Sequence, residues 1–444
     1  MSSQRKIRVA VVFGGRSTEH AVSCLGAGHI LAALDRDRYE VVPIGIAPDG
    51  RWVLTSDDPG RLAIRGGELP SVDAVATPGT EIAARLDRGA QGLVVTGPGE
   101  VPRSLGEVDV VLPVLHGAYG EDGTLQGLLE MTGTSYAGAG VLASAAGMDK
   151  EYMKLIFAAR GLPVGRYVVV RDRDWRGRAA GPAHSAGAAH SAGTADSAGA
   201  ADTAGAADMA GTADAAGTRD AAAAAGTADA AGTADAAGWA RPAPQAVTER
   251  KRVLDEIGEL GWPLFVKPAR GGSSIGITRV DNQAELEEAI EAAREFDPKV
   301  LVEAADEGIE IECAVLEGVD GGPPDASVPA QVLVGGDSQF YDFQAKYLEA
   351  DTGLAIPPPI PAGHAEQIRQ LACAAFEALS CEGLARVDFF YTPGGQILLN
   401  EINTMPGMTS ASAFPVMWAA SGLPLPQLVD RVIQTALRKR RGLR

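Results

Sequence analysis

The stretch LARVDFFYTPGGQILLNEINTMPG, residues 384–407, decides how the C-terminal part of this sequence folds. Two apolar runs flank the dipeptide Gly394-Gly395, which is typical of the two-residue turn of a β-hairpin. Because side chains alternate across a strand, facing polar pairs are predicted to project from one side of the hairpin. Counting outward from the turn gives three facing pairs: Pro393 with Gln396, Asp388 with Glu401, and Arg386 with Asn403.

The facing carboxylates Asp388 and Glu401 predict a metal site. Directly opposed residues have Cβ atoms roughly 4.5–5.5 Å apart, so two ionised carboxylates repel each other unless a cation lies between them. Mg²⁺ prefers oxygen ligands and uses few protein carboxylates. Arg386 adds a fixed cation suited to a phosphate or a developing oxyanion. The alternative is a ladder of solvated charges on a surface hairpin, where facing acids would be destabilising.

A glycine-rich loop, VKPARGGSSIG at residues 266–276, predicts phosphate binding. A strand delivers Lys267 to this loop, whose backbone N–H groups are able to approach phosphate oxygens while the lysine supplies a point charge. The lysine precedes the glycines and no helix follows, so this is not a Walker loop. An ordinary glycine-rich hairpin turn is the alternative.

Two polar segments follow apolar strands near the N-terminus. Glu19 in GGRSTEH comes where the first strand leads into a helix, and the carboxyl ends of parallel strands are where α/β folds bind ligands. A carboxylate there is suited to an ammonium group, although an acid at a helix start has a structural explanation too. In LHGAYGEDG, His116 and Glu121 are either functional or polar residues of a glycine turn.

The pattern of apolar runs divides the chain into three units. Alternating strands and helices predict a small parallel α/β domain over residues 1–138. A second unit spans 139–307, with one helical stretch from Val141 to Arg160, and a third spans 308–444. Residues 177–245 are near-repeats of Ala, Gly, Thr, Asp and Ser, so we expect a disordered surface insertion there.

Composition narrows the class of protein. The net charge of -18 argues against nucleic acid as a partner. The four cysteines are scattered, which argues against a disulfide framework or a structural zinc site. The sequence has neither a signal-peptide pattern nor the roughly 18 uncharged apolar residues of a membrane helix. We therefore expect a soluble, cytoplasmic protein without a membrane partner.

Seven stretches of the sequence resemble motifs of the D-alanine–D-alanine ligase family of the ATP-grasp superfamily, and they occur in the same order as in that family. The resemblance covers nearly the whole chain apart from the Ala/Gly-rich stretch. It implies a fold of class α/β (α+β ATP-grasp), with an N-terminal Rossmann-like parallel α/β domain followed by two ATP-grasp subdomains. The stretches are VVFGGRSTEHAVS (11–23), VLHGAYGEDGTLQG (114–127), MDK (148–150), FVKPARGGSSIG (265–276), GIEIECAVLEG (308–318), FYDFQAKY (340–347) and RVDFF…LNEINTMPGMTSAS (386–412).

The resemblance implies a site for ATP with magnesium or manganese, as two ions. Asp388, Glu401 and Asn403 match the metal ligands of the family, in agreement with the hairpin argument. The family often has a basic residue where Ile309 stands, which puts one nucleotide contact in doubt. The positions that match ATP contacts are Lys150, Lys267, Ser274, Glu303, the backbone of Ala305, Glu310 and Lys346.

The resemblance also implies where two D-alanines bind. Glu19, Ser273 and Tyr347 match a hydrogen-bonded set that places the first D-alanine and closes the loop 340–353 as a lid. His116 would support that first site. The implied enzyme ligates D-alanine to D-alanine through D-alanyl phosphate, for peptidoglycan precursor synthesis, and it forms a homodimer in the family.

At the second D-alanine, Arg386 and the Gly407 backbone resemble the pair that stabilises the oxyanion in the family. Ser412 resembles the residue that binds the substrate carboxylate.

Three alternatives to this function stay open. A D-alanine–D-lactate or other D-alanyl ligase would carry a different lid, with a histidine, in place of Tyr347. Another ATP-grasp carboxylate–amine ligase would not be expected to combine Glu19, Tyr347 and Ser412. A non-catalytic nucleotide-binding regulator would be expected to have lost metal ligands or Arg386.

Overall fold

The computed structural model describes residues 5–84, 92–96, 103–176, 246–272, 274–305, 308–333 and 353–439. The Ala/Gly-rich stretch 177–245, Ser273 and the predicted lid residues Lys346 and Tyr347 lie outside the described residues. Within the described ranges, a mixed sheet is followed along the chain by two antiparallel sheets.

The first sheet combines a parallel centre with an antiparallel extension. Its strands are β1 (Ile7–Gly14), β2 (Tyr39–Ile46), β3 (Trp52–Thr55), β4 (Ala76–Ala84), β5 (Gly92–Thr96), β6 (Arg103–Glu107) and β7 (Val110–Val114). β1 pairs in parallel with β2 and β7, which confirms the parallel α/β arrangement. β3 to β6 extend the sheet by antiparallel pairing, and the strands β4 to β6 were not predicted.

The helices of the first unit pack on this sheet and are joined to its strands by loops. They are α1 (His20–Ala33), a 3₁₀ turn (Pro59–Leu62), α2 (Val72–Val75) and α3 (Thr124–Thr132). Apolar side chains of α1, such as Ile30 and Leu31, pack in one core with Val11 of β1. β1 ends at Gly14, whose φ is +90° and whose added Cβ would lie 2.4 Å from the Ile46 carbonyl oxygen. Only glycine fits this turn, which leads the chain to Glu19 at the start of α1.

The second unit is an antiparallel sheet in the order β10-β9-β11-β8 with helices packed on it. Val253 of one helix and Ile290 of another share a core with Val266 and Val300 of the sheet. The elements along this part of the chain are α4 (Val141–Met148), α5 (Lys150–Ala159), β8 (Tyr167–Arg171), α6 (Asp172–Trp175), α7 (Ala246–Gly258), β9 (Leu264–Pro268), β10 (Thr278–Val280), α8 (Gln283–Arg294) and β11 (Lys299–Ala304). The buried apolar side chains of α4 and α5 pack in the core of the third unit instead.

The helical stretch predicted from Val141 to Arg160 is confirmed, but it forms two helices because the chain breaks at Asp149. Asp149 has extended backbone angles, and its side chain accepts hydrogen bonds from the backbone N–H groups at the start of α5. This is an N-cap, a role that aspartate favours. The Lys299 ammonium lies 2.5 Å from the same carboxylate and fixes it to β11. The break therefore sets the position of Lys150, the first residue of α5.

The third unit is an antiparallel sheet in the order β15-β14-β12-β16-β17, with β13 paired to β12. Arg386 lies opposite Asn403 and Asp388 opposite Glu401, which confirms two of the predicted facing pairs. The elements are β12 (Ile309–Leu316), a 3₁₀ turn (Val319–Gly321), β13 (Asp325–Ala326), β14 (Ala330–Leu333), β15 (Gly353–Ala355), α9 (Ala362–Ala378), β16 (Leu384–Tyr391), β17 (Ile397–Asn403), α10 (Ala413–Ala420) and α11 (Leu425–Arg438).

The tip of the β16–β17 hairpin differs from the two-residue turn that was predicted. The Thr392 N–H donates to the Gln396 carbonyl oxygen at 2.9 Å, so the predicted pairing of Pro393 with Gln396 is wrong. Nearer the site, a β-bulge at Asn400 adds one residue to β17. The longer turn and the bulge offset each other, which restores the predicted register at Asp388.

The last helix returns to the first unit. Val429 and Val432 of α11 belong to the same core as Val11 and Leu112 of the first sheet. The unit boundaries predicted at residues 138 and 307 stay predictions. Across the described ranges, no helix combines the length and the apolar character that crossing a membrane requires.

A close backbone contact between the first and third units gives a stability prediction. Gly383 has a φ of +69°, and an added Cβ would lie 2.7 Å from the Gly138 backbone nitrogen. We expect Gly383→Ala to lower the free energy of unfolding by about 1–3 kcal/mol or more, because the crowded atoms belong to the backbone. The measurement is the thermal unfolding midpoint. Gly363→Ala in α9, where nothing lies within 4 Å, is the matched control and should be neutral or stabilising. Equal midpoints for both variants would contradict the prediction.

Candidate active site

A cleft collects residues from all three units. Its walls come from the loops after β1 and β7, the start of α5, the glycine-rich loop after β9, and β16 and β17 with the loop that follows. The predicted site residues that line it are Glu19, His116, Lys150, Arg386, Glu401, Asn403 and Gly407. The structure thus brings together groups that are separated by almost 400 positions in the sequence.

Glu19 lies where three loops meet. Its Oε2 atom is so close to Gly117 and to Gly272 that a Cβ added at either glycine would lie 3.3 Å from it. Glu19 therefore touches both the loop after β7 and the glycine-rich loop. A carboxylate in this position is suited to the ammonium group of an amino acid, as the sequence predicted.

His116 is buried beside Glu19 and has a defined tautomer. Its Nδ1 lies 2.9 Å from the Met405 carbonyl oxygen, and because a carbonyl only accepts, Nδ1 carries the proton. Nε2 is then the acceptor of the neutral ring, and within the described residues it has no hydrogen-bond partner. Burial lowers the pKa of His116, which outweighs the opposite effect of Glu19. The ring is therefore neutral and offers one acceptor.

Glu121 joins the loop after β7 to the loop after β17. Its two oxygens accept hydrogen bonds from the backbone N–H of Gly117, at 2.7 Å, and from that of Met405, at 3.1 Å. Burial, with the nearby Glu19 carboxylate, raises the pKa of Glu121 to about 8, although the two N–H donors act in the opposite direction. Glu121 is therefore a structural link in the wall of the cleft, where the sequence had left its role open.

Lys150 lies between the glycine-rich loop and the hairpin. Its ammonium donates to the Gly271 carbonyl oxygen at 2.9 Å and lies 3.2 Å from Oε2 of Glu401. Burial acts to lower the pKa of Lys150, but Glu401 outweighs it and the pKa is raised. The lysine is thus charged and lies beside the loop predicted to hold phosphates.

Arg386 and Asp388 form a bidentate ion pair on the hairpin face. Nε and Nη2 of Arg386 each lie 2.7 Å from a different oxygen of Asp388, and the Asn403 amide donates to Asp388 Oδ2 at 2.9 Å. Asp388 and Glu312, the latter in β12, hold the pKa of Arg386 well above its usual value despite burial. The guanidinium is a permanent cation at the cleft wall.

The carboxylates around Asp388 are placed differently from the sequence prediction. Asp388 faces Glu401 as predicted, but the Glu401 carboxylate pairs with Lys150. Glu310, Glu312 and Asp388 instead have carboxylate oxygens that all lie within 4.8 Å of one another. Asp388 and Glu401 supply carboxylate oxygens and Asn403 an amide oxygen on the facing strands β16 and β17. These are the ligand types that magnesium and manganese prefer, so the residues present fit such an ion.

A second buried cluster joins Lys154 and Lys267 through Glu303. The lysine ammonium groups lie 3.3 Å and 2.6 Å from the two oxygens of the Glu303 carboxylate. Burial acts to raise the pKa of Glu303, but the two lysines outweigh it and hold the pKa below its usual value. The sequence analysis missed Lys154, although it follows Lys150 by four residues and therefore lies on the same helix face. Ala305 follows β11 and donates its backbone N–H to the Pro263 carbonyl oxygen at 3.1 Å.

Some predicted residues lie away from the cleft or outside the described ranges. Ser412 lies at the start of α10, with its hydroxyl 2.7 Å from the Thr409 hydroxyl. Ser274 adopts the left-handed region with a φ of +58° in the glycine-rich loop. The predictions for Ser273, Lys346 and Tyr347 concern residues outside the described part of the chain.

Two family descriptions match most of the sequence. The D-ala D-ala ligase N-terminus matches residues 8–139, and the D-ala D-ala ligase C-terminus matches residues 237–434. The chain belongs to the D-alanine–D-alanine ligase family. Membership makes it an ATP-dependent ligase with an ATP-grasp fold, as the sequence motifs had indicated.

Relatives of this family align along nearly the whole chain. The D-alanine–D-alanine ligase of Streptomyces coelicolor is 49% identical over 439 residues, which are 98% of this chain and 95% of the relative. That of Streptomyces griseus is 48% identical over 442 residues, 99% of this chain and 95% of the relative.

Solved structures show the same fold. The VanG D-Ala:D-Ser ligase from Enterococcus faecalis has a TM-score of 0.69 at 28% identity and covers 97% of this chain and 100% of its own. The D-alanine–D-alanine ligase from Coxiella burnetii has a TM-score of 0.67 at 29% identity, and the match covers 98% of this chain and 94% of the Coxiella chain.

Glu121 should make stability depend on pH. Its pKa of about 8 in the folded protein lies above the 4.5 of an ordinary glutamate, so between these values the folded protein keeps a proton that the unfolded chain releases. Stability from this group is therefore full below about pH 4.5 and is lost as the pH rises towards 8, at about 1.4 kcal/mol per pKa unit. We expect Glu121→Gln to flatten the fall of the unfolding midpoint between pH 5 and 8. Glu288→Gln on the exposed side of α8 is the control, and an unchanged pH profile for Glu121→Gln would overturn the prediction.

The Lys154–Glu303–Lys267 cluster gives a second stability prediction. Glu303→Gln leaves two buried ammonium groups without their shared carboxylate, and removing a partner from a buried pair costs about 3–5 kcal/mol. We expect a loss of this order in urea unfolding. Lys251→Met, which breaks the exposed pair with Asp255, is the control and should change the free energy of unfolding by less than about 1 kcal/mol. Similar losses for both variants would show that burial of the cluster is unimportant.

Proposed function

We propose that the protein joins two D-alanines to D-alanyl-D-alanine with ATP, through D-alanyl phosphate, for the synthesis of peptidoglycan precursors. The observation that carries this proposal is the single cleft in which Glu19, Lys150 and Arg386 converge from three units. These groups are suited to the ammonium of an amino acid, the phosphates of ATP and a developing oxyanion, respectively. Family membership supplies the reaction type.

In the first step, a carboxylate oxygen of the first D-alanine attacks the γ-phosphorus of ATP and ADP leaves. Glu19 accepts hydrogen bonds from the ammonium of this D-alanine, and the Nε2 acceptor of His116 supports the same group. Lys150, and Lys346 in the proposed lid, neutralise the transferred phosphoryl group. Further ATP contacts are proposed at Lys267, Ser274, Glu303, the backbone of Ala305 and Glu310.

In the second step, the amine of the second D-alanine attacks the carbonyl carbon of the acyl phosphate. A tetrahedral intermediate forms, its C–O bond to phosphate breaks, and inorganic phosphate leaves while the amine gives up its proton. Arg386 and the Gly407 N–H stabilise the negative oxygen of the intermediate. Ser412 binds the carboxylate of the second D-alanine. The loop 340–353, closed by the set of Glu19, Ser273 and Tyr347, excludes water from the acyl phosphate.

Magnesium or manganese, as two ions, is part of the proposal, held by Asp388, Glu401 and Asn403. When bound, such ions neutralise phosphate oxygens and align them for transfer. Both carboxylates pair with protein cations, Glu401 with Lys150 and Asp388 with Arg386. Loading the site therefore requires that these pairs open or be shared.

A cytoplasmic homodimer completes the proposal. Large apolar side chains are exposed on neighbouring helices: Met131 of α3, Leu142 of α4 and Leu155 of α5 are exposed by 63%, 62% and 48%. Exposed apolar area of this kind is typical of a protein interface. Sedimentation velocity should give twice the monomer mass, and Leu142→Lys should shift the protein towards the monomer.

The reaction is tested by mixing the purified protein with ATP, Mg²⁺ and D-alanine and measuring phosphate and dipeptide together. We expect equal amounts of phosphate and D-alanyl-D-alanine, and loss of both in Glu401→Ala, because a proposed metal ligand is removed. Glu288→Gln is the matched control and should keep full activity.

D-lactate, D-serine and L-alanine are offered as second substrates in parallel. Phosphate release only with D-lactate or D-serine would move the enzyme to the specificity of another D-alanyl ligase, such as the D-Ala:D-Ser ligase with the same fold. Release only with a different amine would indicate another carboxylate–amine ligase. ATP that is not turned over with any acceptor would contradict the proposal and favour a regulatory nucleotide-binding protein.

A further inference from the structure

Glu312 is a buried carboxylate next to the proposed metal site to which the sequence analysis gave no role. It lies on β12 directly opposite Asp388 of β16, and it is 1% exposed. Its Oε1 atom is 3.2 Å from Nη2 of Arg386. The alternation Glu310-x-Glu312 was the available signal, because it places both carboxylates on one face of the strand.

Arg386 has two carboxylates within reach of the same nitrogen. Nη2 lies 2.7 Å from Oδ2 of Asp388 and 3.2 Å from Oε1 of Glu312. Asp388 and Glu312 lie opposite each other on adjacent strands, so only a small side-chain movement would separate a guanidinium paired with one from a guanidinium paired with the other. The present structure has the stronger, bidentate pair with Asp388.

That bidentate pair conflicts with metal binding. Both oxygens of Asp388 accept from the guanidinium, and a divalent cation on the same oxygens would be repelled by Arg386 at close range. A buried guanidinium that gives up Asp388 needs another anion, because an unpaired buried charge is strongly unfavourable. Glu312 is the carboxylate already in place.

We propose that Glu312 is a positioning residue that takes over Arg386 when Asp388 binds a divalent cation. This inference rests on the proposed metal site at Asp388. Two carboxylates then serve two cations: Glu312 holds Arg386, and Asp388 holds the metal. Glu312 thereby keeps Arg386 at the cleft wall for the oxyanion while it releases the metal ligand.

The test is Mn²⁺ binding to the full-length protein in the presence of ADP, measured by the electron paramagnetic resonance signal of free Mn²⁺. We expect Glu312→Gln to weaken binding about 10–100-fold, the usual effect of losing a group that orients a metal ligand. The Mg²⁺ concentration for half-maximal activity should rise in parallel. Glu312→Asp, which keeps the charge, should bind Mn²⁺ more tightly than Glu312→Gln.

Two controls fix the interpretation. Glu317→Gln makes the same change just beyond the end of β12 and should bind Mn²⁺ like the unaltered protein. Asp388→Asn removes the proposed ligand and should abolish tight binding. If Asp388→Asn binds normally, the metal site itself is wrong and the inference falls with it. If Asp388→Asn loses binding but Glu312→Gln does not, the metal site stands and the inference is overturned.

A double-mutant cycle separates positioning from direct ligation of the metal. If Glu312 acts through Arg386, the effect of Glu312→Gln on Mn²⁺ binding should largely vanish when Arg386 is replaced by methionine. An undiminished effect in the Arg386→Met background would show that Glu312 contacts the metal directly, which overturns the inference.

Unfolding midpoints are recorded for every variant. If Glu312→Gln does not fold, the result for Glu312→Asp decides. Mn²⁺ binding as tight as in the unaltered protein, with an unaltered unfolding midpoint, supports the role of the charge. A loss of Mn²⁺ binding as large as in Asp388→Asn contradicts it.

Discussion

The ion pair between Lys150 and Glu401 connects the start of α5 to β17, and the rest of the cleft depends on pairs of this kind. Ionised groups taken out of water are costly unless they are paired. The cleft must nevertheless carry several cations and anions, because its proposed ligands are ATP, metal ions and amino acids. In this structure the charges of the protein satisfy one another, within a sheet for Lys267–Glu303 and Arg386–Asp388 and between units for Lys150–Glu401.

This arrangement makes ligand binding an exchange of partners. Lys150 pairs with Glu401, Lys267 with Glu303, and Arg386 with Asp388. In each pair, the cation is suited to bind a phosphate or an oxyanion. The carboxylate that it pairs with also has a proposed role in binding ATP or a metal ion. In the proposed reaction, a phosphate and a divalent cation that arrive together would replace both members of the Lys150–Glu401 pair, so neither charge would be left without a counter-charge.

α5 is the element that makes these exchanges possible. Asp149 caps its start and is fixed by Lys299, and the break before α5 directs Lys150 into the cleft. One turn further along, Lys154 lies in the buried cluster around Glu303. A continuous helix from residue 141 would present these lysines in other directions. The helix break therefore sets where both lysines lie.

The sequence by itself determined the family, the parallel centre of the first sheet, and the facing of Asp388 with Glu401. Those features depend on local periodicity and on motifs that lie within a few residues of one another. Even there, the register was right because a longer turn and a bulge at Asn400 offset each other. The tertiary structure alone decided that Glu401 pairs with Lys150, about 250 positions earlier, and that Glu312 shares Arg386 with Asp388. Such partners are chosen by how separate sheets pack and by the need to neutralise buried charge, which no local pattern encodes.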